Sequence, residues 1–589
     1  MILQKLTDYY HRLDAEGVVA PPGFKRVEIP FLIVLDQEGS FVGLQDTRTP
    51  SGKRKVAQSF MVPAERGRSG SKAWQVANLL WDHYGYVFGW PKSDKPKDRE
   101  MAQKQHETFK AEVAALHQAI PDDAGVALVH RFLTRGDFSA VFDHPEWENC
   151  KKIPGCNLSF LIQGEDQLVC QSEAVVAHVA SAAGSGDVGG EEGEDSGSSW
   201  EGYCLITGEF GRVARLHPRT PIPGAKSNAK IVSFQKNMGF DSYGKEQSYN
   251  APVTEKTAFW YTTALNELLA KNSRQKIQVG DATTIFWAER ENPIEDVFAD
   301  IFGEEVKENP EQKTKAIRVL YESPRAGTPP LTEDLTPFYV LGLAPNAARI
   351  AVRFWHAGTV GETARNIRRH FEDCAIVHGP KQPDHLSLFR LLVATAAQGK
   401  AENIPPNLAG DVMKAILTGT PYPQTLLAAA IRRCRAEREV SYPRSALIKA
   451  VLARAARFYK RPEKEVGMAL DTGNTNIGYR LGRLFATLER IQIEAAGGEG
   501  KINATIRDRF YGAASSNPVA AFPHLMKLKN HHLAKLENRG RAVNLEKTIT
   551  EIMGGIDDFP THLSLQDQGR FAVGYYHQRQ DFFTKHENN

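Results

Sequence analysis

The sequence predicts an α+β protein: N-terminal and central mixed α/β units followed by an all-α C-terminal helical bundle. Three observations carry this. Short β-branched and aromatic runs at 27–35, 40–44, 283–287, 338–343 and 349–355 read as strands. From Gly358 onward almost every segment is helical, joined by short Pro/Gly breaks, which is the pattern of antiparallel helices. Between them, 184–199 is Gly, Ser, Asp and Glu with almost nothing apolar, a flexible linker. At 589 residues the chain is too long for one core. The expected domains are 1–183, the linker 184–199, 200–357 and 358–589.

Taken in order, residues 1–16 form a helix with Leu3, Leu6, Tyr10 and Leu13 on one stripe, ended by Pro21-Pro22-Gly23. Strands 27–35 and 40–44 flank the turn Asp36-Gln37-Glu38-Gly39 as a hairpin. The loop 46–56 and a strand to Val62 follow, then a second loop, 65–72. An aromatic-rich stretch, 74–90, leads to a long charged helix over 94–120. Helical structure is expected at 126–142 and 172–183, and a hairpin at 158–169. Strands at 203–207, 211–217 and 230–234 precede a helix at 254–269 and a buried strand at 283–287. An acidic, Pro-rich excursion spans 292–330. Strands 338–343 and 349–355 lead into helices at 363–373, 385–398, 407–418, 423–438, 444–459, 476–496, 517–536, 541–554 and 564–585.

Composition excludes several classes. A hydrophobic share of 41% with 9% aromatics is that of an ordinary folded protein. The opening residues run straight into an amphipathic pattern, and no stretch has the apolar length of a membrane span, so a cytoplasmic, membrane-free protein is expected. Six scattered cysteines contain no C-x-x-C pair and match no common zinc framework; reduced, buried thiols are expected, with no metal and no cofactor. The formal charge of +3 hides an asymmetry. From Val340 onward there are 35 Lys+Arg against 23 Asp+Glu. A basic half suits a polyanionic partner, and a set of solvated helical faces accounts for it equally.

Catalytic motifs are missing. The chain has no Walker A motif, no H-E-x-x-H and no G-x-S-x-G. The formal G-x-G-x-x-G at 184–189 lacks the flanking strand and helix of a dinucleotide site, and an acidic run follows it. His531-His532 and Asp557-Asp558 are adjacent pairs without metal spacing. A binding subunit fits better than an enzyme.

The segment 244–253, Gly244-Lys-Glu-Gln-Ser-Tyr-Asn-Ala-Pro-Val, is the strongest candidate site. Lys245, Gln247, Tyr249 and Asn250 point, stack and hydrogen-bond rather than bury apolar area. Two basic loops, with Lys53, Arg54 and Lys55 on one and Arg66, Arg68 and Lys72 on the other, suit phosphates. Among the C-terminal helices, Arg365, Arg368 and Arg369 share a face, as do Arg432 and Arg435. Arg454, Arg457 and Arg461 form another row.

Several of these stretches are similar to one family. Tyr203-Cys-Leu-Ile-Thr-Gly-Glu, Ala214-Arg-Leu-His-Pro and the 244–253 segment resemble the central signature of the type I-C (Csd-type) CRISPR Cascade large subunit. So do Ala258-Phe-Trp-Tyr-Thr-Thr-Ala-Leu-Asn, Gly280-Asp-Ala-Thr-Thr-Ile-Phe-Trp and Leu80-Trp-Asp-His-Tyr-Gly-Tyr-Val-Phe-Gly. Near the end, Tyr479-Arg-Leu-Gly-Arg-Leu-Phe, Asn503-Ala-Thr-Ile-Arg-Asp-Arg and Gly574-Tyr-Tyr-His-Gln-Arg-Gln-Asp-Phe-Phe resemble the same family.

The resemblance implies a non-catalytic subunit of an RNA-guided surveillance complex. In such complexes guide RNA reads sequence and protein reads the short protospacer-adjacent motif (PAM) in duplex DNA. It implies opening of the duplex, stabilisation of the R-loop and support for recruiting the helicase-nuclease. The implied partners are crRNA-containing backbone subunits, target duplex, displaced single strand, a small helical subunit and that helicase-nuclease. On this reading the residues named above are DNA-binding. A protein-only scaffold and an unrecognised metal-dependent nuclease stay open as alternatives. The family is also similar in making a small subunit from within the large-subunit message. Lys464-Glu465-Val466 can be encoded as a ribosome-binding sequence ahead of Met468, so 468–589 is expected as a separate product.

Overall fold

The computed structural model describes residues 1–21, 23–51, 54–65, 68, 70–184, 200–226, 228–235, 239, 243–303, 312–320, 330–347, 349–461 and 465–583. It is α+β, as the sequence predicts, and divides into two compact units. One comprises Met1–Thr220 and Val232–Glu267; the other comprises Pro221–Ile231 and Leu268–Asn589. The division falls inside the stretch 200–357 that the sequence groups together. The expected linker lies, but for Gly184, outside the described residues.

The first unit is organised on a four-stranded sheet in the order Phe41–Asp46, Phe31–Leu35, Asn157–Ile162, Trp81–His83. Phe31, Leu32, Ile33 and Leu35 are all buried, so this strand is covered on both faces rather than alternating. Helices Pro96–Ala119 and Ala124–Arg135 contribute to the cover, Phe109 stacking on Phe160. The Asp36 turn forms as expected: its carboxylate accepts from the Glu38 and Ser40 amides, and Gly39 takes φ +74°. The first helix, Ile2–Ala15, buries Leu6, Tyr10 and Leu13, and Tyr10 lies against Phe259 and Trp260.

Two strand expectations differ. The run 27–35 is broken at Ile29-Pro30, because proline has no amide to continue the ladder. Phe24–Glu28 pairs with Ser59–Pro63, while Phe31–Leu35 pairs with Phe41–Asp46. The hairpin expected at 158–169 reduces to one bridge, Leu161 to Leu168. Strand Asn157–Ile162 is instead held by Phe31–Leu35 in parallel and Trp81–His83 in antiparallel pairing. Both partners are distant in sequence.

The second unit begins as an antiparallel meander, Lys276–Val279, Ala282–Ala288, Pro337–Asn346 and Arg349–Thr359. Every residue of Ala282–Ala288 is buried. The strand expected at 230–234 is only a bridge, Lys230 to Arg349. Thr359 then starts helix Val360–Cys374 with a capping box, its hydroxyl accepting from the Glu362 amide and the Glu362 carboxylate accepting from its own. Helices follow at Leu388–Val393, Pro406–Thr418, Gln424–Glu437, Tyr442–Phe458, Ile477–Ala495, Ile506–Ser516, Pro518–Ala534, Arg539–Met553 and Leu565–Phe583. Ile506–Ser516 was not expected as a helix, although Thr505 and Asp508 spell its capping box. One continuous core runs from Ile277 in the sheet to Tyr576 in the last helix. All six cysteines are buried and free. Among the described residues no helix is long and apolar enough to cross a membrane.

Candidate nucleic-acid interface

The 244–253 segment lies against a short hairpin, Glu201–Tyr203 with Phe210–Arg212. The Leu205 amide donates to the Pro252 carbonyl and the Ala214 amide to Val253, each at 2.9 Å, so the end of the segment is tied to both sides of the hairpin. Gln247–Asn250 is a 3₁₀ turn entered through positive φ at Tyr243, Gly244 and Gln247. The Asn250 side-chain amide closes it, donating to the Lys245 and Gln247 carbonyls at 3.0 Å. Arg215 donates to the Gln247 side-chain oxygen at 2.7 Å, and the buried Ser248 donates its amide to the Arg215 carbonyl.

These bonds revise the roles expected of the side chains. Gln247 and Asn250 use their amide groups to build the loop. Tyr249 sets its ring edge-on to Trp200 at 5.4 Å. Lys245 is exposed, its ammonium 5.2 Å from the Trp200 ring centroid, a cation held over an aromatic face. Of the four, Lys245 is the one presented outward.

Sequence reasoning missed an exposed aromatic pair on the hairpin that the segment is tied to. Tyr203 and Phe210 are directly paired across the hairpin, edge to face at 5.3 Å, and are 70% and 60% exposed. Leu205 adds a third exposed apolar side chain. The signal was present, since both aromatics flank the Thr207-Gly208 turn. Next to Tyr203 in the chain, Cys204 is buried. Burial pushes its thiol up, but amide donors at Thr207, Thr254 and Ile206 and the Thr207 hydroxyl outweigh this and bring it to about 7. The neighbouring motif residues His217 and Tyr261 are both buried and hydrogen-bonded at 2.5 Å. The central motifs therefore converge on one scaffold.

The basic loops are divided in use. Lys53 and Arg66 lie outside the described residues. Arg54 belongs to strand Arg54–Val56, which pairs with Thr49–Ser51. Lys55 is exposed, 3.5 Å from Asp46, and Lys72 is exposed on a 3₁₀ turn. Arg68 departs from the DNA-binding expectation. Its guanidinium grips the buried Asp82 carboxylate and lies 4.1 Å from the Tyr86 ring centroid. Asp82 also accepts the Asn78 and His83 amides, so Arg68 neutralises a charge the fold has taken inside.

On the helices, Arg365, Arg369 and Arg432 are exposed, and Arg365 also donates to the Thr332 carbonyl. Arg368 pairs with Glu372 one turn on. Arg454 does not belong to a surface row: it is 1% exposed and donates to Asp373 at 2.8 Å and to the Ala415 carbonyl. Arg457 is bidentate to the same carboxylate while partly exposed. The row reads as exposed from helical spacing alone because Asp373 is remote in sequence.

A family model described as CRISPR-associated protein (Cas_Csd1) matches residues 6–583. No curated protein matches the chain.

Proposed function

The chain belongs to the Cas_Csd1 family of CRISPR-associated proteins, large subunits of type I-C Cascade, and on that premise we propose that it handles target DNA for the complex. The family is one of Cascade subunits and not a known enzyme family. In the proposed role the protein reads the adjacent motif in the duplex, helps open it, steadies the R-loop and supports recruitment of the helicase-nuclease. The single observation that supports this most is the 244–253 loop. Its own side chains rigidify it and leave Lys245 outward on Trp200, and the hairpin it is tied to exposes Tyr203 and Phe210. A preorganised cation next to aromatic rings suits a phosphate backbone beside unstacking bases. Lys55, Lys72, Arg365, Arg369 and Arg432 supply further exposed charge.

The test uses assembled complex and a labelled target duplex. Lys245→Ala with Gln247→Ala is expected to weaken binding roughly tenfold and to lower the slope of log affinity against log salt by about one, with assembly intact. Unchanged affinity overturns the assignment.

We also propose that 468–589 is made separately as the small helical subunit. Helices Ile477–Ala495 and Leu565–Phe583 pack closely within this span. Helix Leu565–Phe583 also leans on residues upstream of Met468: Gly569 faces Ile448 and Leu427, and Arg570 pairs with Glu465. Synonymous recoding of 464–466 should abolish a small C-terminal polypeptide on an immunoblot. A persisting band from the same start rules the idea out.

A further inference from the structure

Helix Tyr442–Phe458 ends on a cluster unlike the rest of its length. Phe458 and Tyr459 are 52% and 60% exposed, with ring centroids 5.3 Å apart, edge to face. Most aromatic side chains of this size are drawn into a core or an interface. These two stay in water and are framed by cations. The Arg461 guanidinium lies 5.9 Å from the Tyr459 centroid, whereas Arg457 turns its guanidinium to Asp373. Lys460 is also exposed.

The backbone holds the cluster in a fixed presentation. The Arg461 amide donates to the Ala456 carbonyl at 2.9 Å and the Lys460 amide to Arg457 at 3.3 Å, the paired bonds of a Schellman end. Such an end needs a left-handed residue, usually glycine. Here Lys460 occupies it, at φ +50°. A cation at a helix C-terminus offsets the carbonyl dipole. That accounts for the charge, but not for two rings left in solvent beside it.

We propose that Phe458 and Tyr459, framed by Lys460 and Arg461, form a stacking platform for unpaired bases of single-stranded DNA. Every base has a π-face, so stacking tolerates any sequence, and flanking cations follow the phosphates. The proposal rests on the DNA-handling reading above. It adds the residues and the mode of contact, with rings on bases as well as charge on phosphate.

The test uses the full-length chain and an oligodeoxythymidine carrying one aminopurine reporter base. Phe458→Ala with Tyr459→Ala is expected to weaken binding about tenfold or more and to abolish quenching of the reporter. An abasic oligomer of equal length should bind both proteins alike. Lys460→Gly relieves the left-handed lysine, so it should raise the melting temperature while lowering affinity and reducing the salt slope by about 0.7. A variant more stable than its parent is not a misfolded one. Unchanged quenching in the double-alanine protein overturns the platform. So does intact DNA binding joined to failure to co-assemble with other Cascade subunits, which makes the rings a protein contact. If the parent protein shows no salt-dependent affinity, the DNA-handling reading falls and the platform with it.

Discussion

Asp373→Ala is expected to destabilise the second unit by about 3–5 kcal/mol, the usual cost of breaking a buried charge pair from one side. The carboxylate is 3% exposed and binds Arg454 and Arg457 together. Lys449 adds a third cation, donating to the Asp373 backbone carbonyl at 2.9 Å. Burial pushes His370, Cys374 and Lys449 toward their neutral forms, whereas the Asp373 hydrogen bond holds Arg457 charged. Burial, reinforced by the Arg454 charge, holds the His370 imidazole down at about 3. Burial also raises the Cys374 thiol to about 12 and keeps the Lys449 ammonium below its ordinary range. Removing the one acid leaves Arg454 charged and sealed in, since a guanidinium does not neutralise itself by releasing a proton. Arg457→Ala is the contrasting case. Arg457 is partly exposed, and its loss leaves Asp373 still paired with Arg454, so about 1 kcal/mol is expected. Urea unfolding with hydrogen exchange followed at helix Val360–Cys374 separates the two. Equal costs show that the carboxylate is not the centre of the cluster.

The same residues show how far the sequence could be read. Helical and strand periodicity located three of the meander's four strands, all but Lys276–Val279, and most C-terminal helices, because each is long or bounded by Pro and Gly. It failed where a partner distant in the chain decides the outcome. The strand Asn157–Ile162 is held by Phe31–Leu35, more than a hundred residues away, and so looked like half of a local hairpin. Arg454 was placed on a surface row by its spacing from Arg457 and Arg461, because nothing near it announces Asp373. Arg68 fails in the same way through Asp82. The 244–253 segment stood out from its composition, yet composition could not say which polar side chains face inward. Asn250 closes the turn locally on the Lys245 and Gln247 carbonyls, while Gln247 faces inward because the fold brings Arg215, 32 residues away, to its side-chain oxygen. Lys245, with no amide to offer the backbone turn, is the one left outward.

Gly482→Ala is expected to cost about 3 kcal/mol or more, although alanine is ordinarily the better helix former by about 1 kcal/mol. Helices Ile477–Ala495 and Leu565–Phe583 meet backbone to backbone. A methyl at Gly482 would fall 2.1 Å from the Phe571 carbonyl oxygen and 2.8 Å from the Tyr575 amide nitrogen. Gly478 and Gly574 make the same approach, at 2.4 Å from the Asp567 oxygen and 2.3 Å from the Tyr479 oxygen. Backbone cannot swing aside as a side chain does, so the helices must part. Parting them loosens a polar lattice that the close approach makes possible. Tyr479 meets His577 at 3.0 Å, Arg483 donates to Gln578 at 3.1 Å, and Tyr575 donates to the buried Glu489 at 2.5 Å. Each of these left unsatisfied costs roughly 1–3 kcal/mol. Two of the C-terminal stretches that resemble the family, those opening at Tyr479 and at Gly574, thus have a packing role. Gly512→Ala is the control. It also lies within a helix, Ile506–Ser516, but nothing stands within 4 Å of its added methyl, so the propensity gain of about 0.5–1 kcal/mol should appear as stabilisation. One substitution type with opposite signs at two sites isolates the helix approach as the cause. If Gly482→Ala stabilises as Gly512→Ala does, the two helices do not touch through their backbones.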